Sequence, residues 1–303
     1  MRQLLAIRYL ERPDIENILV RAADHRERIR DRKGQSERSD LSVGLLFFED
    51  STRTRVSFEQ AAAYLGHRTV SFTAAGSSLR KGETLRDTVL TIRNEGLDAI
   101  VVRHPSSGAS NLAAREFGGP CVNAGDGSHE HPTQALGDAL TIRDRKGDIE
   151  GLTVAIVGDV LHSRVARSNA WLLSKLGATV RLCGPSSLMP SQMTKLPGAH
   201  FYDVREAVHG ADVVMCLRLQ RERMAEGLAG SVSDYANNYQ VNRRLLARHA
   251  PDAIVMHPGP LNRGVEIDDL TADGPSSAIA DQVRNSVFVR MAVLDWCFDE
   301  AAA

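Results

Sequence analysis

Short apolar runs of strand length recur along this chain, and most are followed by segments whose apolar residues repeat at helical spacing. The run at 41–48 precedes 52–65, where Phe58, Ala61, Ala62 and Leu65 share a face and Gly66 stands where a C-terminal cap belongs. Ahead of it, 12–30 is charged and helical, with Ile15, Ile18 and Leu19 on one side, and 31–40 is a polar loop. Residues 69–73 read as a short strand, 74–82 as a small polar loop, and 83–94 as a helix with Leu85, Val89 and Ile92 in a stripe. Then come a strand at 98–102, a helix at 110–117, a strand at 120–124 and a longer helix at 131–145. A polar, glycine-containing break at 145–148 starts a second series. It has a strand at 153–157, a helix at 164–176 capped by Gly177, and strands at 179–183, 212–217 and 253–256. A polar loop is expected at 231–239 and one terminal helix over 276–298, with Val283, Val287, Met291 and Leu294 in a stripe.

Strand and helix in alternation predict an α/β fold, in which each half is a parallel sheet with helices on both faces. The expected domains are 1–145 and 146–283. Ligands of such sheets bind beyond the carboxyl ends of the strands. Ser51, Arg103 and His131 each stand just after a strand, so three separate segments deliver polar side chains to one edge.

The chain has 303 residues, 43% of them hydrophobic and 25% charged, as in an ordinary globular protein. A net charge of −1 gives no bulk reason to expect nucleic acid or an anionic membrane as partner, so any anion site must be a local cluster of Arg and Lys. No apolar run approaches the ~20 residues that span a bilayer. The first five residues lack the apolar core of a signal peptide, and a cytoplasmic protein is expected. Cys121, Cys183, Cys216 and Cys297 are far apart and read as reduced core residues, neither metal ligands nor disulfides.

The most informative stretch is Ser51-Thr52-Arg53-Thr54-Arg55 at the start of the 52–65 helix. Unpaired backbone N–H groups and the positive end of the helix dipole gather there. Hydroxyls and guanidinium forks at such an end suit an anion with several oxygens. The plainer reading is a capped helix with solvated arginines. Val157-Gly158-Asp159 after a strand invites a dinucleotide reading, but it lacks the further glycines of that fingerprint, and Arg181 sits near where its acidic residue would be.

The Ser-Thr-Arg-Thr-Arg block resembles the carbamoyl-phosphate-binding motif of the carbamoyltransferases, whose familiar branches use aspartate or ornithine as acceptor. Arg103-His104-Pro105 and His131-Pro132-Thr133-Gln134 resemble two further elements of that family. The resemblance implies that Arg103 bridges phosphate and carbonyl oxygen, that His131 meets the carbonyl oxygen and that Gln134 meets the carbamoyl amide. Residues 77–85, with Ser77 and Lys81, resemble the loop that in the aspartate branch reaches into a neighbouring subunit's site. The 158–166 segment resembles the motif whose Arg, here Arg164, meets the acceptor. Arg218-Leu219-Gln220 resembles the pair that holds the side-chain carboxylate of aspartate, and His257-Pro258-Gly259-Pro260 the aspartate-branch loop whose backbone meets the carbamoyl amide and incoming amine. Gly259 departs from relatives with Leu there. The His-Cys-Leu-Pro and Ser-Met-Gly blocks of the ornithine branch are absent.

What the resemblance implies is transfer of a carbamoyl group from carbamoyl phosphate to L-aspartate, giving N-carbamoyl-L-aspartate and phosphate in pyrimidine biosynthesis. Thr54, Lys81, Arg103 and His131 would be catalytic. Ser51, Thr52, Arg53, Thr54, Ser77, Lys81, Arg103, His131, Gln134, Arg164, Arg218, Gln220, Gly259 and Pro260 would bind substrate. No cofactor or metal is implied. The site would lie in a cleft between the domains, with a terminal helix at 284–303 packing back on the first, and Glu49 would pair with Arg164 or Arg223 on closure. A homotrimer with shared sites is implied, and assembly with regulatory chains or dihydroorotase stays open. Another acceptor such as ornithine, or a non-catalytic anion-binding or assembly paralogue, are the alternatives.

Overall fold

The computed structural model describes residues 2–31, 40–73, 83–192, 195–219 and 232–299. The chain divides into two compact units, Met1–Leu140 with Arg284–Ala303, and Thr141–Val283. Both are α/β.

In the first unit β1 (Gln3–Leu4), β2 (Ser42–Phe47), β3 (Arg68–Thr73), β4 (Ala99–His104) and β5 (Cys121–Asp126) form an all-parallel sheet in the order β1-β5-β4-β2-β3. Its helices include α1 (Arg12–Arg30), α2 (Thr52–Tyr64), α3 (Leu85–Asn94) and α4 (Ala109–Phe117), and α5 (Pro132–Lys146) begins within it. β2 and β5 are buried at every position, which is why β2 reads as a near-continuous apolar run and not as alternation, while β5 buries the polar Asn123 and Asp126. Leu46, Phe48, Ile100 and Val102 pack against Val89 and Ile92 of α3 and Ala113, Ala114 and Phe117 of α4. Each such side chain contributes about 1.5–3 kcal/mol on burial. From β3 the chain returns across β2 to lay β4 on its other side. The direction of winding therefore reverses between β2 and β4, the kind of place where a ligand crevice opens beyond the carboxyl ends.

The second unit repeats the plan with β6 (Thr153–Val157), β7 (Thr179–Cys183), β8 (Ala199–Phe201), β9 (Val213–Cys216) and β10 (Ile254–Met256), in the parallel order β10-β9-β6-β7-β8. Here the reversal falls between β6 and β9. The described helices are α6 (Arg164–Lys175), α7 (Val204–Val208), α8 (Val232–Tyr239), α9 (Arg243–His249) and α10 (Asp269–Ala272), followed by α11 (Ile279–Phe298).

Three expectations need correction. The polar loop expected at 231–239 contains a helix, Val232–Tyr239, because Val232, Tyr235 and Tyr239 recur at helical spacing among polar residues and the two rings stack at 5.5 Å. The terminal helix starts at Ile279, and Val283 of its expected stripe is 54% exposed. Gln282, Asn285, Ser286 and Arg290 are buried instead, so that face is polar where a count of apolar residues looks for Val. The strand expected to end at 124 runs on to Asp126. All four cysteines are free and buried, and burial pushes the Cys183 and Cys297 thiols up to about 12.

β6 and β7 leave their sheet in very close approach, because a Cβ on Gly184 would lie 2.3 Å from the Gly158 carbonyl oxygen. Gly184→Ala is expected to destabilise the protein by about 1–3 kcal/mol through overpacking. Urea unfolding checks this, and a midpoint unchanged from wild type would contradict it.

Candidate active site

The first turn of α2 follows directly from β2. Ser51 is its N-cap in extended backbone, φ −162° and ψ 88°, and its hydroxyl makes no capping bond. The end of the helix is therefore not closed by its own cap. Thr52 and Arg53 are exposed, Arg55 lies 3.7 Å from Glu59, and Thr54 is turned into the protein. Arg103 is reached across the sheet. Phe47 pairs with it in register, and the Phe48 N–H donates to the Arg103 carbonyl at 2.8 Å. The buried Arg103 guanidinium is fixed by Nη1 to the Ala124 carbonyl at 3.1 Å and Nη2 to Glu49 Oε1 at 3.2 Å.

The third segment is set by a buried carboxylate. Asp126 accepts from the Gly108 N–H and from Asn123 Nδ2, each at 2.7 Å, and faces His129 Nδ1 at 3.1 Å. Glu130 accepts from the Ile7 N–H at 2.7 Å. These bonds fix the turn that delivers buried His131 to the start of α5, where its carbonyl accepts the Gln134 N–H at 3.1 Å. Gln134 Nε2 donates to Asp138 Oδ1 at 2.8 Å. An ionised carboxylate only accepts, so this bond engages the Gln134 amide nitrogen and leaves its carbonyl oxygen available as an acceptor. The structure thus carries Ser51, Arg103 and His131 on three adjacent strands' carboxyl ends. Beside them His104 has its pKa pulled below the usual imidazole value by burial, against the pull of Asp126 and Glu49, and its Nδ1 accepts the Ser106 N–H.

In the second unit Arg164 opens α6, whose N-cap Ser163 accepts the Ala166 N–H at 3.1 Å. Arg218 stands two residues beyond β9, so Arg164 and Arg218 follow the two strands that flank the reversal. Both are half-buried. Gly259 has φ +63° and precedes Pro260 through a cis peptide, and its N–H donates to His257 Nδ1 at 2.8 Å. Buried His257 also meets Glu266 Oε1 at 3.2 Å, and the same oxygen accepts the Asn262 N–H at 2.6 Å. This anchors the loop around 257–262.

Ser77, Lys81, Gln220 and Arg223 lie outside the described residues. Gly158 has a packing reason unconnected with nucleotides: φ is +138°, and a Cβ would sit 2.8 Å from Leu217 Cβ. Arg181 likewise has its Nη1 on the carbonyls of Ala207 and His209, at 3.1 and 2.7 Å. Sequence reading passed over Asp126, Asp138 and Glu266. Asp138 left a signal, because it stands one helical turn after Gln134. The other two are joined to their partners by loop geometry that no spacing announces. Among the described residues no group of His, Cys, Asp and Glu could hold a metal ion, and no helix is long and apolar enough to cross a membrane.

Two family models match in tandem. Residues 2–144 match the aspartate/ornithine carbamoyltransferase carbamoyl-P binding domain, and residues 150–297 the Asp/Orn binding domain of the same family. The aspartate carbamoyltransferase catalytic subunit of Granulibacter bethesdensis is 53% identical over 297 residues, covering 96% of this chain and 93% of the relative. That of Rhodopseudomonas palustris is 51% identical, with 97% and 93% covered. Among solved structures, aspartate transcarbamoylase from Trypanosoma cruzi in complex with carbamoyl phosphate and aspartate is 32% identical at a TM-score of 0.88, covering 97% of this chain and 95% of that one. Ornithine carbamoyltransferase from Pyrococcus furiosus is 30% identical at 0.87, with 97% and 96% covered. The fold alone therefore does not choose an acceptor.

Glu266→Gln keeps an oxygen for His257 and Asn262 but removes its charge and buries an amide N–H₂ where Oε2 has no hydrogen-bond partner among the described residues. A loss of about 1.5–3 kcal/mol is expected. Thermal unfolding checks it, and a wild-type transition would show that the 257–262 loop does not depend on this carboxylate.

Proposed function

We infer, from the premise that this chain belongs to the aspartate/ornithine carbamoyltransferase family, both its reaction and a division of labour among its residues. It is an aspartate carbamoyltransferase: it transfers the carbamoyl group of carbamoyl phosphate to the amino group of L-aspartate, giving N-carbamoyl-L-aspartate and phosphate. The observation that carries the choice of acceptor is the near-full-length identity of about half to catalytic subunits that act on aspartate. The loop His257-Pro258-Gly259-Pro260 and the pair Arg218 and Gln220 agree with it.

The chemistry sets what the site must supply. The aspartate nitrogen attacks the carbamoyl carbon, a C–N bond forms, the carbonyl oxygen gains negative charge, and the C–O bond to phosphate then breaks. Thr54, Arg103 and His131 are assigned to the carbonyl oxygen, where donors fixed beforehand stabilise developing charge most effectively. Ser51, Thr52, Arg53 and Lys81 are assigned to the phosphate. Gln134 is assigned to accept from the carbamoyl amide through the oxygen that its bond to Asp138 leaves available, which fits a carbonyl acceptor meeting an N–H donor. Arg164, Arg218 and Gln220 are assigned to the carboxylates of aspartate, and the backbone of Gly259 and Pro260 to the amide and amine. The amine attacks directly, so no nucleophilic side chain is needed, and the departing phosphate takes the proton in this reading. Holding the two anionic substrates in attack geometry can supply roughly 7–11 kcal/mol of the barrier.

The same reading makes the protein a cytoplasmic trimer in which the 74–82 loop serves a neighbouring subunit's site. Cyclic symmetry closes such head-to-tail contacts into a ring.

Two variants separate the substrates. Arg53→Ala should lower kcat/KM by about 100-fold, since a charged hydrogen bond contributes about 1.5–3 kcal/mol. Arg218→Ala should raise the KM for aspartate far more than that for carbamoyl phosphate. Steady-state kinetics decides, and equal effects of Arg218→Ala on both substrates would remove it from the acceptor.

Shared sites have their own test. Lys81→Ala and His131→Ala, each inactive alone, are unfolded and refolded together, and hybrid trimers are confirmed by native mass spectrometry. Activity above both parents is expected. Hybrids without it, or a fully active monomer, would place Lys81 in its own chain's site or in none.

A further inference from the structure

Arg290 has no place among the ligands assigned above, yet it is a charged side chain only 3% exposed, on the terminal helix α11. Its position follows from a small residue on a neighbouring helix. A Cβ on Gly137 of α5 would fall 2.9 Å from Ser286 Oγ, so α11 crosses α5 closely one turn before Arg290. The guanidinium then lies 5.0 Å from the Phe58 ring centroid, and Nη1 donates to the buried Ser57 hydroxyl. Ser57 and Phe58 are three and four positions after Thr54, hence on its face of α2. Two charged groups act on Arg290 from the sheet and from α5: Arg103, which opposes its charge, and Asp138, which favours it. Burial and Arg103 pull its pKa down to about 9, and it stays charged at neutral pH.

A single buried guanidinium therefore stands behind three of the assigned ligands. It braces the helix face that carries Thr54. It feels the charge of Arg103. It is a counter-charge to Asp138, whose carboxylate orients Gln134. A buried carboxylate without a compensating cation is costly and tends to change its protonation or its partners. Any such change at Asp138 would disturb the bond it accepts from Gln134 Nε2.

We propose that Arg290 is a positioning residue for the carbamoyl group, holding the Thr54 face of α2 in place and, as counter-charge to Asp138, keeping the Gln134 oxygen turned toward the carbamoyl amide. The inference rests on the reading of the site given above. It concerns the carbamoyl end of the ligand: Arg290 meets α2 at Ser57 and Phe58, on the face of buried Thr54, whereas Thr52 and Arg53, proposed for the phosphate end, are exposed.

The test compares two ligands on the whole protein by calorimetry: carbamoyl phosphate, and inorganic phosphate, which lacks the carbamoyl group. Arg290→Met should weaken carbamoyl phosphate about tenfold while changing phosphate by less than about threefold, the size of a lost charged hydrogen bond. Arg290→Lys, which keeps the charge, should recover most of the difference at neutral pH. A merely structural role would weaken both ligands together, and that result, or no change in either, overturns the proposal. Should Arg290→Met fail to fold, Asp138→Asn is read against the same two ligands, and unchanged preference for carbamoyl phosphate there overturns it equally. The failure of the functional reading is seen separately, as wild-type protein that transfers no carbamoyl group to aspartate.

Discussion

Parallel strands bring their carboxyl ends to one edge, and a sheet that winds outward in both directions must leave a gap where the winding reverses. That constraint organises this molecule twice. In the first sheet the reversal lies between β2 and β4, and these strands release the Ser51–Arg55 segment and Arg103. In the second it lies between β6 and β9, which release the segment leading to Arg164 and the one leading to Arg218. The positive ends of α2 and α6 follow these reversals, so the backbone contributes partial charge before any side chain does. An anion-handling chemistry fits a fold whose two reversal points are each furnished with arginine.

Placement alone would not give a site of fixed geometry. The side chains proposed to meet the carbamoyl group are held by buried polar bonds: Arg103 by the Ala124 carbonyl and Glu49, the turn before His131 by Asp126, and Gln134 by Asp138. Buried polar groups are expensive unless paired. The paired set here trades stability for orientation, and donors that need not reorganise during reaction stabilise developing charge best. Arg290 belongs to this layer, one step behind the groups that would touch substrate.

The central strands and the longer helices were legible from the periodicity of apolar residues, because parallel strands buried on both faces leave long apolar runs, whereas the short edge strands β1 and β8 and the short helices α7, α9 and α10 were not read. The candidate ligands were legible because they cluster in short blocks after those runs. What escaped had a physical reason in each case. Val232–Tyr239 hides its buried rings among Asp and Asn. The terminal helix buries Gln282, Asn285 and Ser286 where valines were expected to face inward. The strand order, and with it the reversal points, depends on crossovers between distant segments. Asp126, Glu266 and Arg290 find partners in three dimensions that their neighbours in sequence do not reveal.

The central claim is that these two arginine-furnished reversals serve carbamoyl transfer to aspartate. It is tested most directly by offering isotope-labelled carbamoyl phosphate with equal amounts of L-aspartate and L-ornithine and identifying the products by NMR. Label in N-carbamoyl-L-aspartate together with released phosphate is the predicted result. Label in a carbamoylated ornithine, or no transfer beyond the uncatalysed rate by folded protein, would contradict it.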